Sequence, residues 1–366
     1  LGRAIGERRI VGAVVLVRQD GELVYERAQG LADREAGRPM RLDTIFRLSS
    51  VTKPIVAATI LAMVDAGELR LDDPVTLYLP NFRPRLANGA PPEISIRQLL
   101  THTSGLAVAS ILSPAEQAAG VNRWRLGDDE IMRRLAALPL LFAPGAGWTY
   151  GPSIDVLGHI AGRLVGGRLE DAIRRYVTGP LGLADTGFAV PDRARLAAAY
   201  ADGKDAPDLM GNPHTIPNPW GTTTTYDPDR IFDPQAFQSG GGGAAGTGPD
   251  ITTLLEALRA GGGPVLKPET AAMALQNQPP QLRDAAGPGW QFGFLGAVLD
   301  DPAAARVEQT RGTTRWGGIY GHHWFIDPAR GLTVVCMTNT GLEGSDGKLR
   351  ADVREAVYGG LGHLKQ

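Results

Sequence analysis

The chain has 366 residues, 43% hydrophobic and 21% charged, with a formal net charge of −2. These values describe one large or two ordinary globular domains with ample core, and they give no electrostatic basis for binding nucleic acid or an anionic membrane. No apolar run approaches bilayer length, and the single cysteine, Cys336, excludes an intramolecular disulfide and a thiolate metal site.

Residues 1–9 fit the tail of an amphipathic helix, and 11–18 and 22–28 alternate as strands across Gln19-Asp20-Gly21, a hairpin turn. A glycine-bounded turn follows near Gly30. The next apolar run, 45–48, leads into Ser49-Ser50-Val51-Thr52-Lys53-Pro54 and then a long apolar helix, 55–66, closed by Gly67. Pro54 is tolerated because a first-turn nitrogen has no helical acceptor to lose.

From about residue 71 helices alternate with Pro- and Gly-rich loops, at 94–101, 129–138, 153–164 and 169–177. Residues 202–239 are rich in Pro, Asp, Thr and Gly and fit an extended surface excursion. A helix over 249–260 follows the glycine run 240–243. Strand patterns then dominate, at 290–299, 307–319, 320–326 and 332–340, before a closing helix from about 348 to 358. Strands at both ends with helices between imply an α/β (α+β) chain. An antiparallel sheet is built from 1–75 and 240–366, a helical domain at 76–239 is inserted, and the site lies at their interface. No secretory signal is visible at the start, which makes a cytoplasmic location the default expectation, although the chain opens without methionine, as a trimmed one would.

The chemistry concentrates on Ser50 and Lys53, three residues apart and therefore on one helix face. A serine hydroxyl is a poor nucleophile until a neighbour takes its proton, and a desolvated lysine amine can take it. Arginine cannot, and nearly every other basic residue here is arginine: the lysines are Lys53, Lys204, Lys267, Lys348 and Lys365. Ser345-Asp346-Gly347-Lys348 repeats the spacing, but with a glycine inside the turn and polar neighbours, and reads as a loop before the last helix.

Three further stretches accompany the serine. Gly147-Trp148-Thr149-Tyr150-Gly151-Pro152-Ser153 places a phenol at a loop-to-helix junction. Arg315-Trp316-Gly317-Gly318-Ile319-Tyr320-Gly321 is a strand with adjacent glycines, whose usual reason is close approach of a ligand or another backbone. Leu99-Leu100-Thr101-His102-Thr103-Ser104-Gly105-Leu106 ends a helix on its glycine.

Together the S-x-x-K, the tyrosine loop and the W-G-G strand resemble the serine β-lactamase and penicillin-binding protein superfamily. Within it the chain is most similar to the β-lactamase-like carboxylesterases of family VIII. Residues 11–14, 30–40 and 324–327 carry the same likeness, which covers almost the whole chain.

The resemblance implies Ser50 as the acylated nucleophile, Lys53 with Tyr150 as the proton-transfer pair, and the backbone N–H groups of Ser50 and Ile319 as the oxyanion hole. Trp316, Gly317, Gly318, Tyr320 and His322 are the expected substrate-binding residues, one of His322 and His323 lining the cleft. Trp316 stands where the lactamases carry a lysine or histidine able to meet a substrate carboxylate, which favours neutral esters. Arg311 and Arg315 are the nearby cations that can partly compensate and leave room for some β-lactam turnover. Pro152 stands in place of an amide side chain, and Gly151 where the esterases often have serine. Ser153 either replaces that serine or caps the following helix.

The expected function is a serine carboxylesterase acting on short-chain, small-acyl esters, without cofactor or metal, nucleic-acid partner or membrane. The rivals are a D-peptidase or β-lactamase, and a binding protein that keeps the fold without turnover. No G-x-S-x-G elbow argues for an α/β-hydrolase, and no H-E-x-x-H for a zinc hydrolase.

Overall fold

The computed structural model describes residues 1–107, 110–190, 192–217, 223–278 and 282–361. Eight strands form one antiparallel sheet: β1 (Gly12–Gln19), β2 (Glu22–Asp33), β3 (Arg38–Pro39), β4 (Trp290–Phe292), β5 (Ala297–Leu299), β6 (Thr314–Gly318), β7 (His322–Asp327) and β8 (Leu332–Thr338), in the order β4-β5-β6-β7-β8-β1-β2-β3. The two ends of the chain meet at its centre, where β1 pairs with β8 over Ala13↔Thr338 to Gln19↔Leu332.

Alternation assigns the two faces. Val14, Leu16, Trp324, Ile326, Val335 and Met337 enter the main core. Val15, Val17, Phe325, Val334 and Cys336 pack on Leu349 and Val353 of the closing helix. β8 is buried on both faces along its whole length, so its near-continuous apolar sequence is that of a strand covered twice. Cys336 lies in it, fully buried, its thiol pushed up to about 12 by burial.

The helices that position the site are α1 (Thr52–Asp65), α2 (Ile96–Leu100), α3 (Asp128–Ala137), α4 (Ser153–Leu164), α5 (Leu169–Ile173), α6 (Gly248–Arg259) and α7 (Lys348–Leu361). α1 has no polar stripe because it has no solvent face: every residue from Thr52 to Met63 is buried. α6 covers the inner sheet face and α7 the outer one. Ile45–Arg47 pairs with Ala245–Thr247, joining the approach to Ser50 to the segment after the glycine run. Among the described residues no helix is long and apolar enough to cross a membrane.

Two expected strands are interrupted. The stretch 290–299 is a hairpin of β4 and β5 turning at Gly293–Gly296, and 307–319 is ordered as strand only over β6, after a turn at Gly312. The glycines at the breaks, Gly293 and Gly296 in the first and Gly312 in the second, are the turn signals that a single continuous strand passes over. The helix expected over 169–177 is α-helical only to Ile173 and then widens over Arg174–Thr178.

The element that fixes the site is the contact between β6 and the turn before α1. Ser49 takes a left-handed φ of 43°, a conformation that serine adopts at a cost of about 1–3 kcal/mol, and Ser49–Val51 form one tight turn that continues into α1. Gly318 lies against it: a Cβ there would stand 2.4 Å from Ser49 Oγ and 2.5 Å from the Leu48 carbonyl oxygen. Gly318→Ala is expected to lose about 1–3 kcal/mol of stability in denaturant unfolding and to lower ester turnover more than tenfold; unchanged values for both would show that the strand and the turn are not in tight contact.

Candidate active site

Ser50 sits at the mouth of α1, at the meeting point of the helical segments and the sheet edge. Lys53 Nζ donates to Ser50 Oγ at 3.2 Å and to the Gly241 carbonyl oxygen at 2.6 Å. Tyr150 Oη donates to Ser50 Oγ at 2.8 Å. The Lys53 ammonium also lies 4.4 Å from the centre of the Tyr150 ring, a cation–π contact. Lys53 is buried at 7% exposure, and no carboxylate among the described residues is bonded to it. The three side chains expected from the sequence therefore converge on one oxygen.

The Gly241 carbonyl is held in turn from α4. Asp155 accepts from Ser239 Oγ at 2.6 Å and from Gly241 N at 3.0 Å. Leu48 N donates to Ala244 O, and Ala244 N to Thr52 Oγ1, so the glycine run is clamped to both ends of the nucleophile turn. The run 240–243 is thus a fixed wall of the cleft.

Tyr150 is positioned by His102, at the end of α2. The His102 carbonyl accepts from Thr149 N at 3.0 Å, its Nδ1 accepts from Gly151 N at 3.4 Å, and its ring lies 4.8 Å from that of Tyr150. Burial, with the Lys53 charge adding to it, holds the imidazole far below its ordinary value, so it stays neutral. Ser153 Oγ shares a 2.9 Å hydrogen bond with Ser104 Oγ and is fully buried. It ties α4 to the loop after α2 and neither caps the helix nor faces the cleft.

Trp316 Nε1 donates to Tyr150 Oη at 3.2 Å, and the two rings lie 5.2 Å apart. The phenol oxygen thus receives an indole N–H while its own proton points to Ser50. Tyr226 Oη donates to the Ile319 carbonyl at 3.0 Å, fixing the peptide that follows β6, and the Tyr226 ring packs on Tyr320 at 5.0 Å. Burial pushes the Tyr320 phenol up to about 12.

Ser50, Tyr150 and Ile319 line two connected spaces. One, of about 340 Å³, is walled by Lys53, Asp155, Tyr226, Arg230 and Tyr320. The other, of about 710 Å³, includes Trp316, Gly317 and Gly318. A small ester fits the first volume, since ligand sites start at about 300 Å³.

One expected site residue lies elsewhere. His322 faces opposite Gly318 in the β6–β7 register, so its ring fills the space under that glycine. It is 1% exposed, its Nε2 donates to the Arg47 carbonyl at 2.8 Å, and its edge packs on Phe46. It lines neither cavity. His323, on the other face of β7, borders the larger one. Arg311 is exposed on Asp300 and borders neither.

The sequence alone marked Gly241 only as part of the glycine run 240–243 and gave no role to Asp155 or Tyr226. Asp155 was visible as a carboxylate on the turn after Tyr150; nothing local marks Tyr226.

A family model described as Beta-lactamase matches residues 2–358. Esterase EstB of Burkholderia gladioli is 48% identical over 365 residues, covering 97% of this chain and 93% of that protein. Among solved structures, EstCE1, described as a hydrolase with promiscuous acyltransferase activity, superposes with a TM-score of 0.92 at 40% identity, over 98% of this chain and 96% of its own. Simvastatin synthase from Aspergillus terreus, in a mutant form, superposes with a TM-score of 0.76 at 25% identity, over 99% and 93%.

Two measurements follow from the geometry. Tyr150→Phe keeps the ring against His102 and removes the hydroxyl, and should lower kcat/KM for a nitrophenyl ester by about 10²–10⁴, the range for a lost proton-transfer group; a loss under threefold would remove Tyr150 from the chemistry. His322 is held down to about 4 by burial, against an ordinary value near 6.5, so the unfolded chain takes up its proton first. Its contribution to stability is full above about pH 6.5 and is lost as pH falls towards 4, at about 1.4 kcal/mol per pH unit. Urea unfolding of His322→Gln should show a correspondingly shallower pH dependence over that window.

Proposed function

We infer that this chain, which belongs to the beta-lactamase family, is a serine carboxylesterase that works through an acyl-serine intermediate. The observation that carries the reading is the convergence of the Lys53 ammonium and the Tyr150 hydroxyl on Ser50 Oγ, beside an indole in the place of a cation. The 48% identity to an esterase supports it.

In the proposed mechanism Ser50 Oγ attacks the ester carbonyl carbon as its proton passes to the Lys53–Tyr150 pair. The carbonyl oxygen becomes an oxyanion received by the backbone N–H groups of Ser50 and Ile319. Each such donor is worth about 3–4 kcal/mol in the transition state, and the Tyr226 hydroxyl holds the Ile319 peptide in place. The C–O bond then breaks, the leaving alkoxide takes the proton from the pair, and the acyl group stays on Ser50. Water repeats the sequence in the second half-reaction, releasing the carboxylic acid and returning the proton to Ser50.

Trp316 has two roles in this reading. Its N–H to Tyr150 Oη stabilises the phenol oxygen when the proton leaves it, and its neutral ring gives no charge partner to an anion on the inner face of the strand. Small-acyl esters are therefore the proposed substrates, with β-lactams turned over weakly. The same proposal takes 1–75 and 240–366 as one domain, supplying Ser50, Lys53 and Ile319, with 76–239 inserted and supplying Tyr150. It also places the enzyme in the cytoplasm, with small esters as its partners.

Nitrophenyl acetate and butyrate should be hydrolysed far faster than a chromogenic cephalosporin, and intact mass should show a transient acyl group that Ser50→Ala abolishes together with activity. Faster cephalosporin turnover would instead support a lactamase. Trp316→Lys should raise the cephalosporin-to-ester ratio by about tenfold, equivalent to 1.4 kcal/mol; an unchanged ratio would mean that the indole does not select the substrate.

A further inference from the structure

β6 pairs with β5 only through Thr314 and Arg315, so Trp316, Gly317 and Gly318 have no strand partner on that side among the described residues. Around this free edge the larger cavity runs from Ser50 and Tyr150 to the outer face of the sheet. There it meets three guanidinium groups: Arg315 from β6, and Arg350 and Arg354 from successive turns of α7. The carboxylate in its wall is Asp346.

These arginines are unevenly paired, Arg315 least. Arg315 stacks over the Trp290 ring at 3.7 Å and has neither an ion pair nor a hydrogen bond among the described residues. Burial, with repulsion from Arg350 and Arg354, brings it down to about 9. Arg350 reaches the Ser345 carbonyl at 3.4 Å and Asp346 at 3.6 Å, both long. Arg354 pairs with Glu308 at 3.2 Å and lies 3.8 Å from Glu355. Arg315 therefore carries a partly buried charge with no carboxylate of its own among the described residues, beside two arginines whose carboxylates bond at 3.2 Å or longer, and an added anion would offset it. Guanidinium is also the group best shaped to bind a carboxylate.

His323 adds a second observation. It is 3% exposed and borders the same cavity, its Nδ1 donates to the Gly344 carbonyl at 2.8 Å, and burial holds the ring down to about 3, so a neutral imidazole stands beside the arginines and adds no competing cation.

We propose that this cavity is an anionic subsite, and that the preferred esters carry a carboxylate, remote from the scissile bond, that lies among Arg315, Arg350 and Arg354. The proposal rests on the esterase reading for turnover, though not for binding. It also separates two sides of one strand: the inner side, at Trp316, refuses charge next to the reacting carbonyl, while the outer side accepts it farther away.

The test compares matched nitrophenyl esters, glutarate half-ester against valerate, and matched acetates of 3-(4-hydroxyphenyl)propionate and 4-propylphenol. The first pair places the carboxylate in the acyl half and the second in the alcohol half. In at least one pair the anionic ester should be favoured in kcat/KM by about tenfold, the worth of one charge-assisted contact. Arg350→Gln and Arg354→Gln should each reduce that preference several-fold, mainly through KM, while Arg311→Gln should not change it. A preference at or below unity in both pairs, or one indifferent to both arginine substitutions, would overturn the subsite.

Calorimetry with glutarate on Ser50→Ala supplies a readout free of turnover. Binding that Arg350→Gln or Arg354→Gln weakens would support the subsite even if no ester were hydrolysed, a result that would sink only the esterase reading. Hydrolysis of neutral esters without any glutarate binding would do the reverse.

Discussion

The site depends on keeping one ammonium group dry without giving it a carboxylate. Lys53 is buried in a helix with no solvent face, and its bonded partners are neutral: a hydroxyl and a carbonyl, with an aromatic face alongside. In the proposed mechanism a bound carboxylate would hold the proton on the amine and oppose proton transfer within the Lys53–Tyr150 pair. The fold instead places Asp155 one peptide away, holding the Gly241 N–H while the Gly241 carbonyl faces Lys53. The anion thus orients the lysine's acceptor without neutralising the lysine. Much of the surrounding architecture, from the clamp at Ala244 to the left-handed Ser49, keeps these neutral contacts in register.

The parts of this arrangement legible in the sequence are those set by local spacing. Ser50 and Lys53 share a helix face because they are three apart, and the adjacent glycines of β6 announce a close approach that the structure puts at Ser49 and Leu48. Strand alternation near both termini is enough to build the sheet from the two ends of the chain. What is illegible depends on tertiary register. Whether His322 or His323 faces the cleft turns on which residue sits opposite Gly318, and one step of register exchanges them. The Tyr226 hydroxyl reaches Ile319 across 93 positions from a segment with no helical or strand periodicity to flag it. Ser153 looks like a helix cap because serine before an apolar helix usually is one. Its partner, Ser104, lies 49 residues away.

In the proposed mechanism Trp316 would act on both selection and chemistry. An indole gives an anion no charge partner, and its N–H donates to the phenol that touches Ser50. In that reading both effects favour a neutral group at the reacting centre and proton movement through Tyr150. His102 completes the device from the other side, neutral by burial and so free to grip the tyrosine loop without adding a competing charge.

The pairing of β1 with β8 has a consequence for synthesis on the ribosome. The Thr338 hydroxyl bonds the Gly12 carbonyl across 326 positions, so the centre of the sheet is closed by two strands that leave the exit tunnel at opposite ends of translation. At about 5–20 residues per second, the apolar run after Gly12 waits tens of seconds for its neighbour. In that interval β1 has only its hairpin partner β2, and the nascent chain carries Ser50 and Lys53 without the strand that completes the centre of the sheet.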